Sequence, residues 1–146
     1  QIALRASLTG HLVLSTLHTN NAVEAVNRLK DLGIDNYLIS SSLRAILAQR
    51  LLRKYCEHCK HESLQQGAKT RETLFKLTGC QECNFTGLKG RIAIFELLVI
   101  DQPLQNKLLQ GDLSGVENSK NLALEAKKYV DSELVPRFEL SKTNLN

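Results

Sequence analysis

Four cysteines in two closely spaced pairs are the residues with the clearest chemical potential. Cys56 and Cys59 form one C-x-x-C, Cys80 and Cys83 form another, and twenty residues lie between the two pairs. This spacing is typical of a structural zinc site, because each pair can turn two sulfurs toward one metal ion. Four thiolates would complete a tetrahedron. The pattern therefore predicts a structural zinc ion with no open position for a substrate.

The same cysteines have other interpretations. Two disulfides are disfavoured by a reducing cytosol, and four unliganded thiols are disfavoured by the paired spacing. His58 and His61 lie near enough in the sequence to replace a cysteine ligand, although a closed four-sulfur site leaves both at the surface. A zinc hydrolase would need an open coordination position and a general base, and a four-cysteine site argues against it.

Two histidines flank a short apolar segment near the start of the chain. Residues 11–17 read HLVLSTL, which predicts a buried strand of a parallel sheet. His11 and His18 stand at its two ends, and ligands of open α/β sheets bind at strand ends. On spacing alone, however, we favour two histidines with ordinary structural partners beside a strand.

The first third of the chain also predicts two helices. Asn20 or Asn21 can cap a helix that runs to about Leu32, with Gly33 in the usual C-terminal position. Apolar residues then recur at helical spacing over residues 36–54, which predicts a second, longer helix.

Residues 55–90 differ in composition from their surroundings. They hold all four cysteines and a short helical pattern over residues 70–77, so we expect a compact insert. A module of about 35 residues has too small a core to fold alone, and metal binding would supply most of its folding free energy. The predicted division is residues 1–54, 55–90 and 91–146.

The last part of the chain predicts one strand followed by helices. Residues 91–100, RIAIFELLVI, alternate and then become continuously apolar, as in a strand that returns to the main sheet. Asp101 opens a helix near residues 104–110, and an amphipathic stretch covers about residues 119–130.

The charge and hydropathy of the chain restrict the kinds of partner that it could bind. The 146 residues carry a formal charge of +4, which falls to +2 if four thiolates bind one zinc ion. Aromatic residues are few and not interleaved with the basic ones, so we expect no direct binding of nucleic acid. The longest apolar stretch, residues 92–100, is too short to span a bilayer and no export signal is visible, which predicts a cytoplasmic protein.

Three separated motifs resemble one protein family. The segment ALRASLTGHLVLSTLHTN is similar to the histidine box of the type II secretion and type IV pilus assembly ATPases, and QIALRA is similar to the residues that follow their Walker B segment. LISSSLRAILAQRLLRKYC and CNFTGLKGRIAIFELL resemble the segments on either side of that family's tetracysteine module. The resemblance covers about residues 1–110.

The resemblance implies a fold and a set of site residues. It implies the C-terminal portion of a RecA-like α/β ATPase domain, with an inserted four-cysteine zinc module and C-terminal helices. His11 and His18 would be the catalytic box histidines that face the nucleotide phosphates, where an imidazole could orient the attacking water. Arg91 would lie near the adenine, on which a guanidinium can stack. By itself, Arg91 is more simply a solvated cation at a strand end.

The resemblance also implies partners and a location. Intact members of the family are hexameric motors that use ATP and Mg²⁺ at the cytoplasmic face of the inner membrane. Their partners would be neighbouring ATPase subunits and a platform protein embedded in that membrane. No G-x-x-x-x-G-K-[S/T] occurs in the 146 residues, so we expect this chain alone to be inactive. The alternative is a free-standing zinc-ribbon module that binds protein or nucleic acid.

Overall fold

The computed structural model describes residues 2–59, 79–116, 121–143 and 145. In that part of the chain, three helices precede a pair of strands and three helices follow it. In chain order the elements are α1 (Ile2–Leu8), α2 (Ala22–Asp31), α3 (Asn36–Ser42), β1 (Ala45–Tyr55), a 3₁₀ turn (Gln81–Cys83), β2 (Leu88–Val99), α4 (Gln102–Gln110), α5 (Leu122–Asp131) and α6 (Phe138–Lys142). The mixed helix and strand content agrees with the predicted α/β class.

The chain divides into two compact units, and each consists of two segments of the sequence. The first unit comprises Gln1–Ala48 and Glu96–Asn121. The second unit comprises Gln49–Phe95 and Leu122–Asn146. The three-part division at residues 54 and 90 stays a prediction.

The two strands pair in an antiparallel arrangement. At one end, the Ile100 N–H donates to the Arg44 carbonyl oxygen over 2.9 Å. At the other end, the Cys56 N–H donates to the Gly87 carbonyl oxygen over 2.8 Å. In each of these hydrogen-bonded pairs, one residue directly follows its strand and the other directly precedes its strand. The two strands therefore run in opposite directions. The predicted strand over residues 91–100 is confirmed, and it begins earlier, at Leu88.

The prediction of one long helix over residues 36–54 is wrong. Helix α3 ends at Ser42, and residues 45–55 form β1 instead. The apolar residues of this stretch fit a helix in isolation, but pairing with β2 satisfies their backbone groups as a strand. The side chain of Leu52 is fully buried there. Tertiary pairing therefore overrides the local helical pattern.

The strand expected over residues 11–17 is also not formed. These residues have no regular secondary structure, and Leu12 and Leu14 are 89% and 87% exposed. A strand needs a neighbour to pair its N–H and C=O groups. Among the described residues, the sheet consists of β1 and β2 only, so this segment has no neighbouring strand.

The helix ends agree closely with their sequence signals. The Asn21 side chain accepts a hydrogen bond of 2.8 Å from the Glu24 N–H at the start of α2. At the start of α4, the Asp101 side chain accepts a hydrogen bond of 3.0 Å from the Leu104 N–H. Gly111 ends α4 in the left-handed conformation. The predicted helices at residues 21–32 and 104–110 are confirmed, and α5 confirms the amphipathic stretch near residues 119–130.

The core of the first unit joins its helices to the adjoining end of β2. Helix α3 packs against α1, α2 and α4. The buried residues of this cluster are Ala22, Val26, Ile34, Leu38, Ile39, Leu98, Ile100, Leu104 and Leu108. The first unit therefore has an apolar core of its own.

The second unit buries residues from both strands and from the C-terminal segment, namely Leu52, Ile94, Leu122, Ala126 and Val135. Its C-terminal segment is hydrogen-bonded to β1, because the Tyr55 N–H donates to the Leu134 carbonyl oxygen over 3.0 Å.

The helix predicted over residues 70–77 lies outside the described residues. No helix in the described part of the chain is both long and apolar enough to cross a bilayer.

Candidate metal centre

The four cysteine sulfurs converge in the second unit. Their Sγ atoms all lie within 4.8 Å of one another. The Sγ atoms of Cys56 and Cys80 are 3.9 Å apart, those of Cys59 and Cys83 are 3.6 Å apart, and those of Cys80 and Cys83 are 3.9 Å apart. A zinc ion with Zn–S bonds of about 2.3 Å requires sulfur separations of about 3.8 Å in a regular tetrahedron. The arrangement therefore fits a four-thiolate metal site.

The same distances do not favour the disulfide interpretation. All four cysteines are free. A disulfide would bring two sulfurs to about 2.05 Å. The cluster instead keeps its sulfurs at the separation that one shared metal ion would require.

Two structural elements bring the cysteines together. Cys56 directly follows β1, and Cys80 and Cys83 lie at the 3₁₀ turn that precedes β2. The antiparallel pairing of the strands places these two ends side by side, as the bond from the Cys56 N–H to the Gly87 carbonyl oxygen shows. The strand pair thus positions two cysteine pairs that are distant in the sequence.

Backbone N–H groups point at the sulfur of Cys83. The N–H groups of Cys80 and Gly87 each donate to the Cys83 Sγ over 3.2 Å. Burial acts to raise the pKa of Cys83, but these donors and the neighbouring Cys59 thiol lower it to about 6. Burial raises the pKa of Cys59. Cys83 therefore loses its proton more readily than Cys59, and a bound divalent metal would favour the thiolate form of all four cysteines.

Gly79 allows the chain to pass close to this turn. A Cβ atom at Gly79 would lie 2.5 Å from the backbone nitrogen of Gly87 and 2.6 Å from the carbonyl carbon of Phe85. Any side chain would therefore displace the backbone that donates to the Cys83 sulfur. Gly79 and Gly87 were not among the predicted site residues, although a glycine beside a C-x-x-C pair is a recognisable signal for such a turn.

The remaining predicted site residues lie at the surface. His11 and His18 are both exposed, and the His11 Nδ1 lies 3.2 Å from the Ala6 carbonyl oxygen and 3.1 Å from the Thr9 Oγ1. Arg91 is exposed on β2, and His58 is exposed beside the first cysteine pair. His61 lies outside the described residues. The roles of His11, His18 and Arg91 stay predictions.

A family model and individual proteins match this chain. The family described as "Type II/IV secretion system protein" matches residues 1–133. Among curated proteins, a type II secretion system ATPase E of Vibrio cholerae is 52% identical over 114 residues, which is 72% of this chain and 23% of that protein. A type II secretion system protein E of Dickeya dadantii is 46% identical over 119 residues, or 77% of this chain and 24% of that protein.

A pilus protein and a solved structure extend the comparison. The type IV pilus assembly ATPase PilB of Thermus thermophilus is 43% identical over 122 residues, or 76% of this chain and 14% of that protein. The crystal structure of the pilus retraction motor PilT with bound ADP matches 97% of this chain and 35% of that chain, with a TM-score of 0.68 and 23% identity. At that identity the likeness concerns the fold. The chain spans about a quarter of the length of the two type II secretion proteins named above. It belongs to the type II/IV secretion system protein family.

Proposed function

We propose that this chain is a zinc-stabilised part of a secretion or pilus-assembly motor, within a RecA-like ATPase domain. The observation that carries the proposal is the cluster of four cysteine sulfurs in a chain of this family. In the intact motor, the domain would couple ATP hydrolysis to the assembly of a pseudopilus or pilus. A free-standing zinc-ribbon module is not favoured, because it leaves the family match across residues 1–133 unexplained.

Cys56, Cys59, Cys80 and Cys83 would hold one zinc ion. In a closed four-thiolate site the metal supplies a structural cross-link and no catalytic position. The experiment that tests this assignment is elemental analysis of the full chain, purified in reducing buffer without added zinc. We expect one zinc per chain, and less than about half an equivalent would overturn the assignment.

His11, His18 and Arg91 would act on the nucleotide in the intact domain. Both histidine rings are exposed, so an imidazole N–H could donate to a phosphate oxygen or orient a water molecule. The exposed guanidinium of Arg91 could stack on a base. These roles need the rest of the nucleotide site, because no G-x-x-x-x-G-K-[S/T] is present here.

We therefore propose that the chain alone does not hydrolyse ATP. ATP turnover by the purified chain, measured with Mg²⁺, should equal the buffer blank. Turnover above the blank that disappears in His18→Ala would contradict this proposal. The same variant in an intact relative should lose activity if the histidine orients the attacking water.

The proposed partners are neighbouring ATPase subunits of a hexamer and the platform protein of the inner membrane. The proposed location is the cytoplasmic face of that membrane, with peripheral association only. Direct binding of nucleic acid is not expected, since the chain carries a charge of only +4 before metal binding. Binding to duplex DNA that weakens steeply with added salt would argue for the zinc-ribbon alternative instead.

A further inference from the structure

Cys56 differs from the second cysteine pair in what holds it in place. Cys80 and Cys83 belong to one turn, in which the Cys83 N–H donates to the Cys80 carbonyl oxygen over 3.2 Å. Cys56 instead follows the last residue of β1, and it is 1% exposed. The position of its sulfur in the cluster therefore depends on what holds the end of β1.

The end of β1 is hydrogen-bonded on both of its edges. On the edge that faces β2, the Cys56 N–H donates to the Gly87 carbonyl oxygen over 2.8 Å. On the opposite edge, the Tyr55 N–H donates to the Leu134 carbonyl oxygen over 3.0 Å. A pair of strands is only marginally stable without further neighbours, and the C-terminal segment supplies such a neighbour here. The backbone that leads into Cys56 is thus held from two sides.

Glu139 attaches the same C-terminal segment to β1 at a second point. Its carboxylate is buried and accepts three hydrogen bonds from Arg53, which lies three positions before Cys56 in the sequence. One of the three donors is the backbone N–H of Arg53, at 3.0 Å, so the contact fixes the strand itself as well as the side chain. Residues 135 and 136 are buried between the two attachment points.

We propose that Glu139 and the Leu134 carbonyl group are positioning groups for the metal centre, which hold Cys56 where a zinc ion requires its sulfur. Both act through the backbone of β1. Groups that orient metal ligands contribute to metal affinity, and losing one commonly weakens binding about 10–100-fold. The inference rests on the proposed zinc site, and it adds the C-terminal segment to the parts of the chain that determine zinc affinity.

This coupling must operate in both directions. If attachment of the C-terminal segment favours zinc binding, bound zinc favours attachment of the segment by the same factor. A bound zinc ion would hold Cys56, and with it the N–H groups of Tyr55 and Arg53 that the segment accepts. Removal of the metal should therefore loosen α6.

The test measures the zinc affinity of the full chain in reducing buffer, by competition with a chromophoric chelator. We expect Glu139→Ala to weaken zinc binding about tenfold. Ala126→Gly is the matched control, because Ala126 is a buried residue of α5 in the same unit. Glycine weakens a helix, but this substitution keeps the acceptors of Arg53 and Tyr55, so the zinc affinity should not change.

Glu139→Gln is the milder variant of the same test. It keeps one side-chain oxygen as an acceptor for Arg53, so its zinc affinity should lie between those of the original chain and Glu139→Ala. If Glu139→Ala does not fold, Glu139→Gln decides the question in its place. A zinc affinity equal to that of the original chain would then overturn the positioning role.

Hydrogen exchange measures the reciprocal effect. In the original chain, the amides of residues 139–143 should exchange faster once a chelator has removed the zinc. In Glu139→Ala the attachment is already weakened, so removal of zinc should change their exchange less. Exchange rates at residues 139–143 that do not respond to zinc in the original chain would contradict the coupling.

The outcomes separate this inference from the proposed metal site. If the original chain binds no zinc, the metal site is wrong and the positioning role falls with it. If the original chain binds zinc and Glu139→Ala binds it as tightly, the metal site stands and the positioning role is wrong. Equal losses of affinity in Glu139→Ala and Ala126→Gly would show that zinc binding follows the general stability of the unit, which would also overturn the positioning role.

Discussion

Glu139 is the buried acidic residue that connects the C-terminal segment to β1. It is 3% exposed, and its carboxylate accepts hydrogen bonds from the backbone N–H, the Nε and the Nη2 of Arg53, at 3.0, 3.0 and 2.7 Å. Burial acts to raise the pKa of Glu139, but these three donors outweigh burial and lower it. The carboxylate is therefore ionised and paired in the folded chain, and it closes α6 onto the strand.

We predict that Glu139→Ala destabilises the chain. The substitution leaves the Arg53 N–H and guanidinium without their acceptor. Because the Arg53 side chain is 43% exposed and water can partly replace the carboxylate, the expected loss is about 1–2 kcal/mol in the free energy of unfolding. Unfolding in urea measures this loss of stability. Glu125→Ala is the control, since Glu125 pairs with Lys128 at the surface of α5 and should change stability by less than about 0.5 kcal/mol.

The same pair predicts how stability depends on pH. Because the pKa of Glu139 is lowered by folding, its contribution is fully present above its ordinary value of 4.5 and is lost as the pH falls through the lowered folded value. The difference in unfolding free energy between the original chain and Glu139→Gln should therefore be largest near neutral pH and shrink as the pH falls below 4.5. A difference that is constant across this range would show that the ionised carboxylate is not responsible.

At the scale of elements, the strand pair and the turn before β2 build the metal centre together. The strands hold Cys56 next to the second cysteine pair, and the turn directs the N–H of Gly87 at the Cys83 sulfur. Gly79 is the residue that lets this turn close. The sulfur positions therefore depend on backbone geometry as much as on the cysteines.

We predict that Gly79→Ala weakens metal binding without replacing any ligand. The added Cβ would approach the Gly87 nitrogen to 2.5 Å, so the backbone must move and its hydrogen bond to sulfur must lengthen. Competition with a chromophoric chelator should show zinc transfer at a lower chelator concentration than for the original chain. Gly33→Ala serves as control, because a Cβ there meets nothing within 4 Å. It should cost about 1 kcal/mol of stability through its positive φ, with no change in zinc affinity.

For the molecule as a whole, the two units rely on different sources of stability. The first unit buries an apolar cluster built on α2, α3 and α4. The second unit combines buried residues of the strands and of α5 with the cysteine cluster. A metal cross-link should therefore matter to the second unit and have little effect on the first.

Hydrogen exchange before and after chelation tests this difference. With the metal removed in reducing buffer, the amides of residues 79–87 should lose protection, because metal binding contributes to the folding free energy of such modules. The amides of α2 should exchange at an unchanged rate. Loss of protection in α2 at the same chelator concentration would contradict independent stabilisation of the first unit.

Features that depend on neighbouring residues could be predicted from the amino-acid sequence alone. The cysteine spacing predicted which four sulfurs meet, and Asn21 and Asp101 predicted where two helices begin, because capping and C-x-x-C turns are local interactions. The strand at residues 45–55 could not be predicted in this way, because it depends on hydrogen bonds to β2, which begins more than thirty residues further along the chain. The contact between Glu139 and Arg53 likewise joins residues 86 positions apart, and nothing in the local sequence around either one indicates it.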